Sequence, residues 1–144
     1  VLRYGEHSKP GEFVYDRPFQ FGSKRTGPDL HRVGGKYPHF WHLRHMSDPK
    51  STSSESIMPA YPWLEQRDLD TSLTQKKLSV LRRMGAPYAP EVNAAGELQS
   101  QAQSIVGELQ KQGAPVAAET ARKEIIALIA YLQRLGTDIK RGMQ

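Results

Sequence analysis

The segment Ile57-Met58-Pro59-Ala60-Tyr61-Pro62-Trp63-Leu64 traps a single thioether between an apolar residue and a proline. Pro59 keeps Met58, and Pro62 keeps Tyr61, out of helical backbone space, so a stiff extended loop is predicted. Preceded by the polar run Ser51 to Ser56, and carrying Tyr61 and Trp63, such a loop suits a wall that presents sulfur to something flat and apolar. Two chemistries are open to Met58: axial ligation of a haem iron, or the gap-filling in a core that most methionines perform. The histidines offer another. There are five, His7, His31, His39, His42 and His45. The last three recur every third residue, so neighbours such as His39 and His42 could share one metal ion. No carboxylate is placed by spacing to complete that site, and the ends of the triplet are too far apart for one ion. A polar helix face is the plainer reading. No G-x-S-x-G ties a serine to a base, and Gly34-Gly35 runs into Lys36-Tyr37-Pro38 without phosphate-loop spacing, so hydrolase and nucleotide-binding readings have no motif.

Composition narrows the classes further. The chain has 144 residues, 38% hydrophobic and 24% charged, which fits one domain with a modest core. Zero cysteines remove disulfides, zinc thiolates, thiol catalysis and C-x-x-C-H haem attachment together. A net charge of +5 favours an anionic partner face or a lipid surface. No nucleic-acid-binding motif is legible. There is no apolar run long enough to span a membrane and no signal-peptide core. The first residues enter a dense pattern with no starting Met, as expected of a piece of a longer chain.

The elements that must position these groups divide the chain in two. The first half is rich in Gly and Pro, with Phe13, Tyr15, Phe19 and Phe21 loosely alternating with polar residues, so short extended pieces are predicted. Thr26-Gly27-Pro28-Asp29-Leu30 makes a sharp turn, and Gly34-Gly35 frees the backbone for close approach by a ligand or by another backbone. A short helix is predicted from Pro38 to Met46, with Phe40, Trp41 and Leu43 on its buried side. A second runs from Leu73 to Met84, capped by Thr74, with Leu78, Leu81 and Met84 sharing a face. A third covers Ala94 to Gln112, with a stripe of Leu98, Ala102, Ile105, Val106 and Leu109. The strongest pattern is Glu119 to Leu135, with Ile125, Leu128, Ile129, Leu132 and Leu135 on one face and Gly136 after it.

The order of Lys24 to Tyr37, then Met58-Pro59, then an apolar last helix with Leu128 to Leu132 resembles a class I cytochrome c after its haem-attachment motif. Tyr4-Gly5-Glu6-His7-Ser8, Gly11 to Asp16, Pro18-Phe19-Gln20, Gly22 to Leu30, Met58 to Leu64 and Tyr131 to Thr137 are more specifically similar to the mono-haem subunit (FixO/CcoO) of cbb(3)-type oxidases. The similarity runs from Arg3 to about Lys140 and is weakest between about Asp68 and Thr120. In that family a membrane anchor and C-x-x-C-H precede the Tyr-Gly segment, and neither stands in this chain.

The resemblance implies a mainly α, class I cytochrome c-like domain, truncated at its N-terminus. Residues 1–66 would form the loop-rich haem-pocket half, 67–118 a helical insertion, and 119–144 the terminal helix and tail. It implies Met58 as iron ligand, Pro28 and its neighbour Gly27 as the turn whose carbonyl orients the proximal histidine, Tyr61 and Trp63 as walls, and Arg25 and Arg32 as partners of the haem propionates. The implied function is electron transfer through haem c toward an oxygen-reducing subunit, with no catalytic site of the chain's own. The implied partners are that haem–copper subunit and a further cytochrome c subunit, on the periplasmic face of a bacterial inner membrane. The chain as given is expected to be haem-free. Rival readings are a haem-free basic docking module and a histidine metal-binding domain. With the family's N-terminal helix missing, the terminal-helix face needs another cover, either the Ala94 to Gln112 helix or a second copy of the chain, and self-association is expected.

Overall fold

The computed structural model describes residues 9–15, 17–18, 30–89 and 93–137. Five α-helices and no strand occur among the described residues. They are α1 (His39–Ser47), α2 (Trp63–Gln66), α3 (Thr74–Arg83), α4 (Ala94–Lys111) and α5 (Glu124–Arg134).

α1 begins where Pro38, extended at ψ 159°, hands its carbonyl to Trp41 and His42. One otherwise orphaned amide of its first turn, that of Phe40, donates to the side chain of Gln112 at 2.9 Å. The helix ends because Asp48 precedes Pro49 and is held extended. α4 is capped by Asn93, whose side chain accepts from Gly96. It stops at Gly113, whose φ of +81° lets Ala114 turn back to Leu109.

The core lies where α4 and α1 meet α5. Leu43, Ile105, Val106, Leu109, Ala114, Ile125, Ile126 and Ile129 form one buried cluster. Each such large side chain contributes about 1.5–3 kcal/mol on leaving water, so this small cluster decides stability. The buried face of α5 is Ile125, Ile126, Ile129 and Leu132, rotated from the predicted stripe: Leu128 and Leu135 are only half-buried. α4 supplies the cover within the chain, which removes the packing reason for self-association through this face. α4 lies inside the stretch predicted as an insertion, yet it is integral to the core.

Two further departures matter. Residues Ala118–Arg122 form a 3-10 turn and Lys123 is extended, so α5 starts at Glu124 instead of Glu119. The amide of Glu124 donates to Arg67 and that of Leu69 to Arg122, and Lys123 pairs with Asp68 at 2.9 Å, tying the start of α5 to the strand-like residues after α2. α3 buries no residue fully, and of the predicted shared face Leu81 and Met84 are exposed.

Candidate functional site

The methionine loop is pinned on both sides. After α1, Pro49–Ser51 makes a 3-10 turn capped by Asp48, and the amide of Met58 donates to Ser56 Oγ at 3.2 Å. The chain then runs extended until the amide of Tyr61 donates to Met46 O at 2.7 Å, fastening the loop to the end of α1. Pro62 opens α2, where Leu64 packs against the core and Ser47 Oγ meets Glu65. Met58 and Tyr61 are half-buried, Ile57 is fully exposed, and Trp63 crosses Tyr61 edge-on at 5.2 Å with much of its ring in water. Met58 and Tyr61 thus share the loop between α1 and α2, and Trp63 is the first residue of α2.

Arg32 lies half-buried in the turn before α1, beside Gly136, and Met58 lies in the loop after α1. Arg25, Gly27 and Pro28 lie outside the described residues.

A glutamine that no motif singles out holds the start of α1. Gln133 Oε1 accepts from the amide of Gly35 at 2.9 Å, while its Nε2 donates to Tyr37 O at 2.7 Å and to His39 Nδ1 at 3.0 Å. His39 therefore carries its proton on Nε2 and donates to Glu108 at 2.8 Å. The amide of Gly34 reaches Leu135 O at 3.0 Å. A Cβ at Gly34 would sit 2.5 Å from two carbonyl oxygens, so the close approach at Gly34 is by backbone.

The histidine triplet is not a polar face. Trp41 stacks between Tyr37 at 3.9 Å and His45 at 4.4 Å, and His45 Nδ1 meets Thr52 Oγ1. Burial holds His45 below the usual histidine range. His42 is 2% exposed, edge-on to Tyr37 and Trp41, and its Nε2 is buried without a hydrogen-bond partner. Glu108 does bring a carboxylate to His39, but among the described residues no three His, Cys, Asp or Glu converge as a metal site.

Burial, and then the neighbouring His39 and His45, push His42 down to about 4. Between the unfolded value of 6.5 and that folded value the unfolded chain binds more protons. The contribution of neutral His42 is therefore complete above pH 6.5 and is lost as pH falls toward 4, by on the order of 3 kcal/mol. Urea midpoints from pH 7 to pH 4 should fall more steeply for the wild type than for His42→Phe. Parallel curves would show that His42 is not held neutral by the fold.

A search of curated proteins returns no match. The family model described as "Cytochrome C oxidase, mono-heme subunit/FixO" matches residues 1–139. That match runs through the methionine loop, α1 and the whole of α5 and includes nearly every residue of the chain, which therefore belongs to the FixO family of cytochrome c oxidase mono-haem subunits.

Proposed function

We propose that the chain forms the methionine side of the haem pocket in an electron-transfer subunit of a haem–copper terminal oxidase, on the periplasmic face of a bacterial inner membrane. Membership of a mono-haem oxidase-subunit family supports the electron-transfer role. The observation that carries the site is Met58, a half-buried thioether on a loop tied to Ser56 before it and to Met46 after it. A soft neutral sulfur on a stiff support fits an axial haem ligand, since little rearrangement is needed to present it. When bound, the haem supplies the one-electron iron couple that constitutes the transfer. Met58 would hold the iron through its sulfur, a ligand that would favour the reduced state and so raise the potential. Tyr61 and Trp63 shield that side from water. Arg32, with Arg25, contributes positive charge for the propionates. Gly27 and Pro28, outside the described residues, would by the family resemblance supply the carbonyl that orients the proximal histidine. With no cysteine among the 144 residues, thioether attachment and its histidine are assigned to sequence outside them. The partners proposed are the oxygen-reducing subunit and a further cytochrome c.

The test uses the haem-loaded subunit. Met58→Ala should abolish the far-red charge-transfer band of sulfur-ligated ferric haem and lower the potential by on the order of 0.1 V. A band that survives the substitution excludes Met58 as the ligand. The 144-residue chain alone should remain colourless after desalting, and stoichiometric haem would show that one of its histidines ligates iron.

A further inference from the structure

α3 is built with its apolar side outward. At 100° per residue, Leu73, Val80 and Met84 fall within about 20° of one line along the helix, with Lys77 about 40° to one side and Lys76 and Arg83 about 60–80° to the other. The three apolar residues are 54%, 45% and 73% exposed. The opposite side is seated poorly: Thr74, Leu78 and Arg82 are only half-buried, and Nε and Nη2 of Arg82 are enclosed without hydrogen-bond partners. From Thr71 to Ala89 there are four cations and no acid. An ordinary surface helix presents its charges outward and its aliphatic residues inward, so α3 is oriented for a second apolar phase.

We propose that α3 docks on an anionic lipid surface, with Leu73, Val80 and Met84 entering the headgroup layer and Lys76, Lys77 and Arg83 pairing with lipid phosphates. The lysine stems lie along the apolar line while their ammonium groups reach the phosphates. Tyr88, 46% exposed beyond the end of α3, adds a ring suited to that depth. A protein partner fits less well. One line of aliphatic side chains is narrower than the roughly 800 Å² a standard interface buries on each partner, and the cores of such interfaces are depleted in lysine and enriched in aromatics. The net charge of +5 adds long-range attraction to an anionic surface. The inference rests on α3 alone and is independent of haem ligation by Met58.

The experiment is sedimentation of the 144-residue chain with vesicles, either pure phosphatidylcholine or phosphatidylcholine with about one-third phosphatidylglycerol. Partitioning should be at least about tenfold stronger to the anionic vesicles and fall steeply with added salt. The triple variant Lys76→Gln, Lys77→Gln, Arg83→Gln should lose about fivefold per cation, roughly a hundredfold together. Val80→Ser with Met84→Ser should abolish binding with an unchanged melting curve, because both side chains are already exposed. Since the chain has no native cysteine, Met84→Cys can carry a single environment-sensitive dye. Its emission should shift to the blue on anionic vesicles, while the same dye at exposed Ala117 should not shift. Equal binding to both vesicle types, undiminished binding by the charge variant, or a shift only at Ala117 overturns the proposal. So does retention by a purified oxidase subunit without vesicle binding, which would make this face a protein interface.

Discussion

Gly34→Ala should destabilise the protein by roughly 2–4 kcal/mol. The position is closed by space, because the added Cβ would lie 2.5 Å from Gln133 O and from Leu135 O and 3.0 Å from Thr137 Cγ2. Both oxygens belong to the backbone at the end of α5. Moving them away would pull Leu135 O from the Gly34 amide that it holds at 3.0 Å. The control is Gly107→Ala in α4, where no atom lies within 4 Å of the new methyl and helix propensity favours the change by about 0.5–1 kcal/mol. Thermal melts should therefore move in opposite directions, with Gly34→Ala lower by on the order of 10 °C. A Gly34→Ala protein that melts with the wild type would show that this approach relaxes freely.

Ile129→Ala should be about as damaging, at roughly 3–4 kcal/mol, because its side chain is fully enclosed between α5 and α4. Leu128→Ala, one residue earlier and half-buried, should lose less than half as much. The pair Ile129→Ala and Leu109→Ala tests the cover itself. Both residues belong to the same buried cluster, so their effects should depart from additivity by at least about 0.5 kcal/mol. Strict additivity, measured by urea denaturation, would mean that α4 does not rest on this part of α5.

The same helix shows how far periodicity carries. Ile125-Ile126-Ala127-Leu128-Ile129 is apolar on more than one side. The pattern predicts a buried helix, but only the direction from which α4 arrives decides that Ile126 is covered in preference to Leu128. Its start was hidden for a different reason. Glu119 to Lys123 has good helical propensity, yet Arg67 O takes the amide of Glu124 and Asp68 holds Lys123 extended. Long-range bonds there override local preference. α2, four residues long, is too short to show a period. In α3, Leu78, Leu81 and Met84 do share a spacing, but sequence cannot say which way that side faces.

The site divides along the same line. Proline stiffness made the loop that carries Met58 and Tyr61 legible. The fastening of Tyr61 to Met46 was not, because a backbone bond leaves no signature in side chains. Gln133 was missed since one glutamine on a helix carries no pattern. The three histidines looked equivalent at their spacing, whereas the packing of α1 buries His42, stacks His45 on Trp41 and gives His39 two partners. The doublet Gly34-Gly35 left ligand and backbone both open, and at Gly34 the answer is backbone.

Gln133 grips Gly35, Tyr37 and His39 across 98, 96 and 94 residues of chain. Bringing such distant segments together costs on the order of 4 kcal/mol of loop entropy, more than three hydrogen bonds of about 1 kcal/mol each return. The grip cannot recruit its own partners. Hydrophobic docking of α1, α4 and α5 must first deliver the two ends, after which the glutamine closes on a topology already made. The logarithm also makes the intervening length cheap: doubling the loop would add only about 0.6 kcal/mol. The stretch from Thr71 to Asn93, whose described residues carry α3 but no member of the buried cluster, can therefore lengthen or shorten with little effect on closure, leaving the outward helix free to be shaped by what it touches.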